Sequence, residues 1–246
     1  MITLVFTGEM SAARRQVFEN AAAKWDRVMD TSFDPVDFEG ETLRGLQIDA
    51  SIVQIDGPEG ILGQAGPRAL RSDTGLPITG IMQFDDADIA RLEADGSFSD
   101  VILHEMAHVL GFGTLWPRQN LIAGAGTSDP RFTGSGASRE FAALDPDGGA
   151  GVPIANTGGG GTREAHWREL IFGDELLTGF LSGAERPLSR MSIASFADLG
   201  YEVDFSAADP FDLPDFRTLA MKGVMEAVRV CNLCRVARPV PMIVDV

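Results

Sequence analysis

Five consecutive residues, His104-Glu105-Met106-Ala107-His108, have the types and spacing needed to bind and use a metal ion. On a helix, residues four apart lie about 40° apart around the axis and about 6 Å apart along it, so both imidazoles can face one ion. Glu105 is displaced by about 100°, so it reaches a water on that ion rather than the ion itself. Zinc suits such a site because it accepts imidazole ligands and leaves a position for water. The motif predicts a zinc site with His104 and His108 as ligands and Glu105 as the catalytic base.

A third ligand is needed, and the histidine count indicates which residue supplies it. The chain contains 3 histidines, so His166 is the imidazole that remains outside the motif. It follows a run of four glycines at 158–161, which would let the chain turn back toward the helix. The carboxylates of Glu164 and Glu169 are the alternative third ligands. We predict a three-histidine zinc site.

The segment that carries the motif is predicted to be a buried helix over residues 99–110, since it is apolar on nearly every side. Ser97 and Asp100 resemble a capping box, and Gly111 supplies a left-handed stop. The alternative is that the two histidines and the glutamate lie on one helix face without binding a metal. Burying three unpaired ionisable groups would be costly, and a bound metal removes that cost.

Other elements must position this helix. Hydrophobic periodicity predicts a strand at 2–7, then a helix at 11–29 with Ser11 as N-cap, and then strands at 46–55, 61–66 and 78–84. A turn-rich segment containing Pro67 joins the last two strands. Residues 113–165 are predicted to be mostly irregular, with a short helix at 138–144. Further helices are predicted at 169–181, 192–199 and 217–228.

Composition excludes several classes of partner. The 246 residues are 44% hydrophobic and carry a net charge of -16, which argues against a nucleic acid or an anionic membrane as partner. No stretch reaches the roughly 18 apolar residues that span a bilayer. The short apolar run at 2–6 follows no basic residue, so we do not interpret it as a signal peptide.

Cysteines and acidic clusters give weaker signals. Cys231 and Cys234 form a single Cys-x-x-Cys tetrad, compatible with a local disulfide, two free thiols or half of an intermolecular site. A thiolate that caps the zinc is a less favoured interpretation. The acidic clusters at 85–88 and 145–148 do not match an EF-hand loop. We expect solvated turns at both, and calcium is unsupported.

Several separate blocks resemble one family. The segments HEMAHVLGFGTLW, HWREL, GDELLTGFLSG and LSRMSIASFADLGY are similar to the leishmanolysin family of metzincin zinc peptidases, especially its bacterial members, over roughly residues 3–210. Most metzincins have a third histidine six residues after the second, where this chain has Thr114. Leishmanolysin-like members place that histidine after an insertion. The resemblance therefore implies that His166 is the third ligand and that residues 112–165 are the insertion.

The resemblance also implies a Met-turn, in which Met191 packs beneath the zinc-binding imidazoles without binding the metal. Ordinary core filling is the alternative role for this methionine. Some metzincins have a tyrosine ligand two residues after this Met, where this chain has Ile193. Tyr201, the single tyrosine, is expected to be structural.

The fold implied is α/β, of the α+β metzincin type, in a single catalytic domain. A twisted sheet and two helices would form an N-terminal subdomain at about 1–111, and a mainly irregular and helical subdomain would follow at about 112–246, with the zinc cleft between them. A peptide would lie antiparallel to an edge strand at 78–84. The substrate-binding residues there would be Gly80, Ile81, Met82 and Gln83.

These features predict a zinc endopeptidase in which Glu105 activates a zinc-bound water to hydrolyse peptide bonds. Two alternatives remain at this point: a catalytically silent zinc-containing peptide-binding module, and a zinc hydrolase of non-peptide substrates. Polypeptides are the expected partners, and a monomer is favoured. The resemblance implies a secreted, extracellular protein.

Overall fold

The computed structural model describes residues 1–58, 61–179, 186–215, 234–236 and 240–246. Within these residues the chain forms a mixed sheet of parallel and antiparallel strands together with six α-helices. The predicted mixed α/β class is confirmed.

The described strands, in chain order, are β1 (Ile2–Phe6), β2 (Val36–Phe38), β3 (Glu41–Leu43), β4 (Leu46–Val53), β5 (Gly63–Arg71), β6 (Pro77–Asp85), β7 (Ile122–Ala123), β8 (Arg131–Phe132), β9 (Val152–Pro153), β10 (Cys234–Val236) and β11 (Met242–Val244). The main sheet has the order β1-β4-β6-β5-β10, and β11 also pairs with β5. Strands β1, β4 and β6 are parallel to one another, and β5 runs antiparallel to β6. Strands β10 and β11 run parallel to β5.

The described helices are α1 (Ala12–Val28), α2 (Asp86–Ala94), α3 (Phe98–Val109), α4 (Ser135–Leu144), α5 (Glu169–Phe172) and α6 (Arg190–Leu199). Helix α1 begins as predicted, because the Ser11 side chain accepts a hydrogen bond from the backbone N of Arg14. Its apolar face buries Phe18 and Trp25 completely. The Trp25 indole donates to the carbonyl of Leu103 at 3.0 Å, which ties α1 to α3.

Helix α3 lies against the sheet with ten of its residues buried, from Phe98 to Val109. Gly80 of β6 allows this close approach, since a Cβ there would lie 2.2 Å from Cγ1 of Val109. Gly111, with φ 115°, ends the helical segment as predicted. The predicted capping box is wrong, because the Ser97 side chain makes no hydrogen bond to the helix and instead contacts Asp95.

Strand β6 is not an edge strand, which corrects the prediction for residues 78–84. It pairs with β4 on one side and with β5 on the other. The backbone groups of Gly80, Ile81, Met82 and Gln83 are therefore part of the sheet and cannot receive an added peptide strand. Alternation along one strand does not reveal how many neighbours it has, which is why the sequence could not place it.

Three other predictions are corrected. Pro67 lies inside β5 rather than in a turn, and the strand accommodates it at a register irregularity between Pro67 and Ala69. The helix predicted over 169–181 ends at Phe172, because Gly173 at φ 57° breaks it. Asp85 and Asp88 are buried rather than in a solvated turn. Asp85 caps α2, a helix that the sequence did not predict, by accepting from the backbone N of Ala87.

Two predictions concern residues near the C-terminus. The helix predicted at 217–228 and the residue Cys231 lie outside the described residues, while Cys234 begins β10. No helix in the described part of the chain is both long and apolar enough to cross a membrane.

Candidate metal centre

Three histidines from two parts of the chain meet in the interior. His104 and His108 lie on α3, and His166 lies in the loop between β9 and α5. Their Nε2 atoms are 3.0 Å apart for His104 and His166, 3.1 Å for His104 and His108, and 3.0 Å for His108 and His166. All three side chains are buried, and only His104 retains some exposure, at 9%. Among the described residues this is the one group of such side chains arranged to hold a metal ion.

The opposite nitrogen of each ring contacts a backbone carbonyl. Nδ1 of His104 lies 2.7 Å from the oxygen of Leu176, and Nδ1 of His108 lies 2.8 Å from that of Phe112. Nδ1 of His166 lies 3.1 Å from the oxygen of Thr162. A carbonyl only accepts hydrogen bonds, so each Nδ1 carries the proton and donates it. Each neutral ring then directs the lone pair of its Nε2 toward the other two rings.

The convergence of three lone pairs indicates a cation site. The three Nε2 atoms cannot hydrogen-bond to one another, because none of them has a proton to donate. A metal ion shared among them satisfies all three. Carbonyl oxygens behind metal-binding imidazoles are a common arrangement, since they fix the tautomer and the ring orientation.

The surroundings of His104 favour its neutral form. Burial, then the neighbouring His108, lowers the pKa of His104 to about 3, which outweighs the opposing hydrogen bond to Leu176. The ring is therefore neutral at physiological pH, as a metal ligand must be.

Glu105 lies next to this centre with a buried, unsatisfied carboxyl group. The side chain is 1% exposed, and its Oε2 atom has no hydrogen-bond partner among the described residues. Burial raises its pKa well above the usual value for a glutamate. Gly63 of β5 makes room for it, since a Cβ at that position would lie 3.2 Å from Cγ of Glu105. A buried carboxyl oxygen without a hydrogen-bond donor is costly, which makes Glu105 a candidate for chemistry.

A small cavity opens beside His104 and Glu105. Its remaining walls are formed by Leu62, Asp100, Val101, Thr178 and Arg186. Its volume is about 10 Å³, which is room for about one water molecule. Arg186 was not singled out in the sequence, because nothing in its local pattern shows that it reaches this cavity.

The loop that carries His166 is held by close backbone packing. A Cβ at Gly113, where φ is 69°, would lie 2.2 Å from the carbonyl oxygen of Ala165, so only glycine fits there. The backbone N of Ala155 donates to the carbonyl of His166 at 2.9 Å. Trp167 packs with ring centroids 5.0 Å from Phe112 and so joins this loop to the end of α3. These contacts bring His166 to its partners on the helix.

The alternative third ligands, Glu164 and Glu169, do not belong to the histidine group. Glu164 accepts a hydrogen bond from the backbone N of Gly126 at 2.6 Å, and it is not part of the histidine group. Thr114 donates through its hydroxyl to the carbonyl of His108 at 2.8 Å. Tyr201 donates to the carbonyl of Leu110 at 2.9 Å, and burial raises its pKa. This contact agrees with the structural role expected for Tyr201.

Met191 is fully buried near the start of α6 and belongs to the main hydrophobic core. Its position beneath the imidazoles stays a prediction.

Comparison with known proteins supports one family. Residues 138–215 match the family model of leishmanolysin, a segment that includes His166 and Met191. A search of curated proteins returned no match to the chain. The match to the leishmanolysin model supports the leishmanolysin-like metallopeptidase family for this protein, as its sequence motifs predicted.

Proposed function

We propose that the protein is a zinc-dependent endopeptidase in which His104, His108 and His166 hold the metal and Glu105 is the general base. One observation carries the proposal: three unprotonated Nε2 atoms converge within 3.1 Å of one another beside a buried carboxyl group whose Oε2 has no hydrogen-bond partner among the described residues. The leishmanolysin match independently supports a metallopeptidase.

Zinc is the metal that best fits the donor set. Three neutral imidazoles suit zinc, while calcium and magnesium prefer oxygen ligands. Nitrogens that share one tetrahedral zinc ion at about 2.0–2.1 Å lie about 3.3 Å apart. The observed separations of 3.0–3.1 Å are close to this value. When bound, zinc supplies a Lewis acid that polarises a scissile carbonyl and acidifies water.

Residues of the chain itself transfer the proton, orient the ligands and exclude water. Glu105, through its unsatisfied Oε2, accepts the proton of the attacking water and later returns it to the leaving amine. The three backbone carbonyls behind the imidazoles keep the Nε2 lone pairs directed inward. The narrow cavity beside Glu105 limits the water around the reacting groups, which strengthens electrostatic interactions there.

The substrate-binding role predicted for Gly80 to Gln83 is not retained, because β6 lies inside the sheet. Action outside the cell, a monomeric state and the boundary between two subdomains near residue 111 stay predictions.

The test compares zinc-loaded wild type, Glu105→Ala and Glu202→Ala for hydrolysis of unfolded casein, with a metal count on each sample. Glu202 is a matched control, being an exposed carboxyl that does not line the cavity. Wild type and Glu202→Ala should cleave casein, while Glu105→Ala should retain zinc and lose at least about 100-fold in rate.

Three results would each contradict one part of the proposal. Wild-type rates in Glu105→Ala would remove Glu105 as the base. One equivalent of zinc with no hydrolysis by the wild type would favour a peptide-binding module. Hydrolysis of simple esters or amides without cleavage of any peptide would favour a non-peptide hydrolase.

A further inference from the structure

Glu175 is fully buried, and hydrogen-bond donors surround its carboxyl group. Its Oε2 atom accepts from the backbone N of Leu177 at 2.7 Å. Its Oε1 atom accepts from the backbone N and the hydroxyl of Ser189, at 3.0 and 2.7 Å, and from the hydroxyl of Ser192. Four donors from two chain segments therefore converge on this single carboxylate.

The groups that Glu175 fixes are those that support the metal ligands. The carbonyl of Leu176 accepts the Nδ1 proton of His104 at 2.7 Å. The carbonyl of Leu177 accepts from the backbone N of Trp167 at 3.0 Å, and Trp167 directly follows His166. The hydroxyl of Ser192 also accepts from the indole Nε1 of Trp167 at 2.7 Å.

The same carboxylate holds the start of helix α6. Ser189 is the N-cap of α6, and its hydroxyl accepts from the backbone N of Ser192 at 3.1 Å. Glu175 accepts from both the backbone and the side chain of this cap. Met191 lies inside the turn that is fixed in this way.

We propose that Glu175 is a positioning residue of the metal centre: it locks the backbone at Leu176 and Leu177, and thereby the ring of His104 and the loop of His166. The inference rests on the proposed metal-binding function. Within the described residues, Glu175 is linked to the centre through backbone carbonyls and Trp167, so it acts on ligand geometry and not on the reacting atoms. Groups that orient metal ligands in this way typically change metal affinity or activity by about 10–100-fold when altered.

A purely structural role is the competing explanation, and it makes a different prediction. A cross-link between two buried segments would alter stability and leave the metal site intact once the protein is folded. A positioning role changes the geometry and affinity of the site in the folded protein. The visible spectrum of bound cobalt, which depends on ligand geometry, separates the two roles.

The experiment compares full-length wild type, Glu175→Gln and Asp198→Asn. Asp198 is a matched control, because this α6 carboxylate also accepts two backbone N–H groups, from Gly136 and Ala137 at 2.7 and 2.8 Å. Its partners lie on α4, which carries none of the three histidines. Each protein is measured for zinc dissociation constant by chelator competition, for the cobalt spectrum and for thermal unfolding.

Glu175→Gln should weaken zinc binding by about 10–100-fold and alter the cobalt bands. Asp198→Asn should lower the unfolding temperature while keeping the wild-type zinc affinity and spectrum. If Glu175→Gln is destabilised but binds both metals as the wild type does, the positioning role is overturned. A wild type that binds zinc but cleaves no peptide contradicts the peptidase proposal alone, since the zinc comparison still decides the role of Glu175.

A second variant keeps the test decisive if Glu175→Gln does not fold. Ser192→Ala removes one donor to Glu175 and the acceptor of the Trp167 indole, and it leaves the carboxylate with three donors. Zinc binding should weaken by about 10-fold, at the low end of the same range. If Ser192→Ala has the zinc affinity and the cobalt spectrum of the wild type, the positioning role of Glu175 is overturned.

Discussion

Glu105 and Glu175 are both buried glutamates, and their surroundings are opposite. Glu105 lies on α3 with its Oε2 lacking any hydrogen-bond partner among the described residues, whereas Glu175 accepts four hydrogen bonds. Burial raises the pKa of both, and only for Glu175 do donors from Ser192, Leu177 and Ser189 oppose that rise. The difference separates a carboxyl group that is left available for proton transfer from one that is committed to holding structure.

Asp85 is another buried carboxyl group, and its pKa shifts in the opposite direction from those of Glu105 and Glu175. It is inaccessible to solvent, and its carboxylate accepts from four backbone N–H groups, those of Ile55, Asp56, Gly57 and Ala87. Burial alone would raise its pKa, but these four bonds together lower it. Four donors thus outweigh burial at Asp85 but not at Glu175, so the direction of a pKa shift does not follow from the number of donors alone.

The largest effect is expected at Glu105, on turnover. Glu105→Gln keeps the shape of the side chain and removes its ability to accept a proton, so kcat should fall by about 100–10,000-fold. The free energy of unfolding should change little, because a buried amide replaces a buried carboxyl group of the same size. Casein hydrolysis and urea unfolding on the same samples check both parts. A clear loss of stability would show that Glu105 has a structural role and would break the contrast with Glu175.

For Glu175→Ala, the large expected effect is on stability and not on proton transfer. The substitution leaves buried donors without an acceptor, at about 1–3 kcal/mol for each uncompensated group, so the free energy of unfolding should fall by about 3 kcal/mol. Urea unfolding of the metal-free protein measures this effect separately from metal binding. A change below about 0.5 kcal/mol would mean that water replaces the carboxylate at little cost, and that the network does not hold the two segments together.

Asp85 should contribute a pH dependence of known sign. Its folded pKa is lowered from an unfolded value of about 3.9, so its contribution is fully present above that value and is lost as pH falls through the folded pKa. Asp85→Asn should cost about 1–3 kcal/mol at pH 7 and flatten the decline in stability below about pH 4. Urea unfolding of both proteins between pH 3 and pH 7 tests this. Parallel curves for variant and wild type would contradict it.

The smallest effect is expected at Gly63, which probes the space around Glu105. A Cβ there would lie 3.2 Å from Cγ of Glu105 and from the ring of Phe84, so both neighbours must shift by a few tenths of an ångström. Gly63→Ala should reduce kcat by less than about 10-fold and change stability by less than about 1 kcal/mol. Gly160→Ala is the control, since a Cβ at that position meets no atom within 4 Å. Equal activity of the two variants would show that the fit around Glu105 is not limiting.

Periodicity predicted the elements that are long and regular. Strands β1 and β4 and helices α1 and α3 lie within a few residues of their predicted positions, because their burial patterns repeat along the chain. Helix α2 and the short α5 were not predicted correctly, since Asp85 and Gly173 act through a cap and a backbone angle rather than through periodicity. The position of β6 inside the sheet depends on pairing with β4 and β5, which a single strand does not encode.

The sequence by itself determined the local half of the metal centre. The spacing of His104 and His108 fixes their relation through helix geometry, and the histidine count made His166 their candidate partner. Only the tertiary structure decided which carbonyls set the three tautomers, those of Leu176, Phe112 and Thr162. It also decided that Oε2 of Glu105 has no hydrogen-bond partner among the described residues, whereas Glu175 has four donors. The physical reason is that the contacts joining separate chain segments, 72 positions apart for His104 and Leu176 and 14 to 17 positions apart for Glu175 and the two serines, arise only when the core packs.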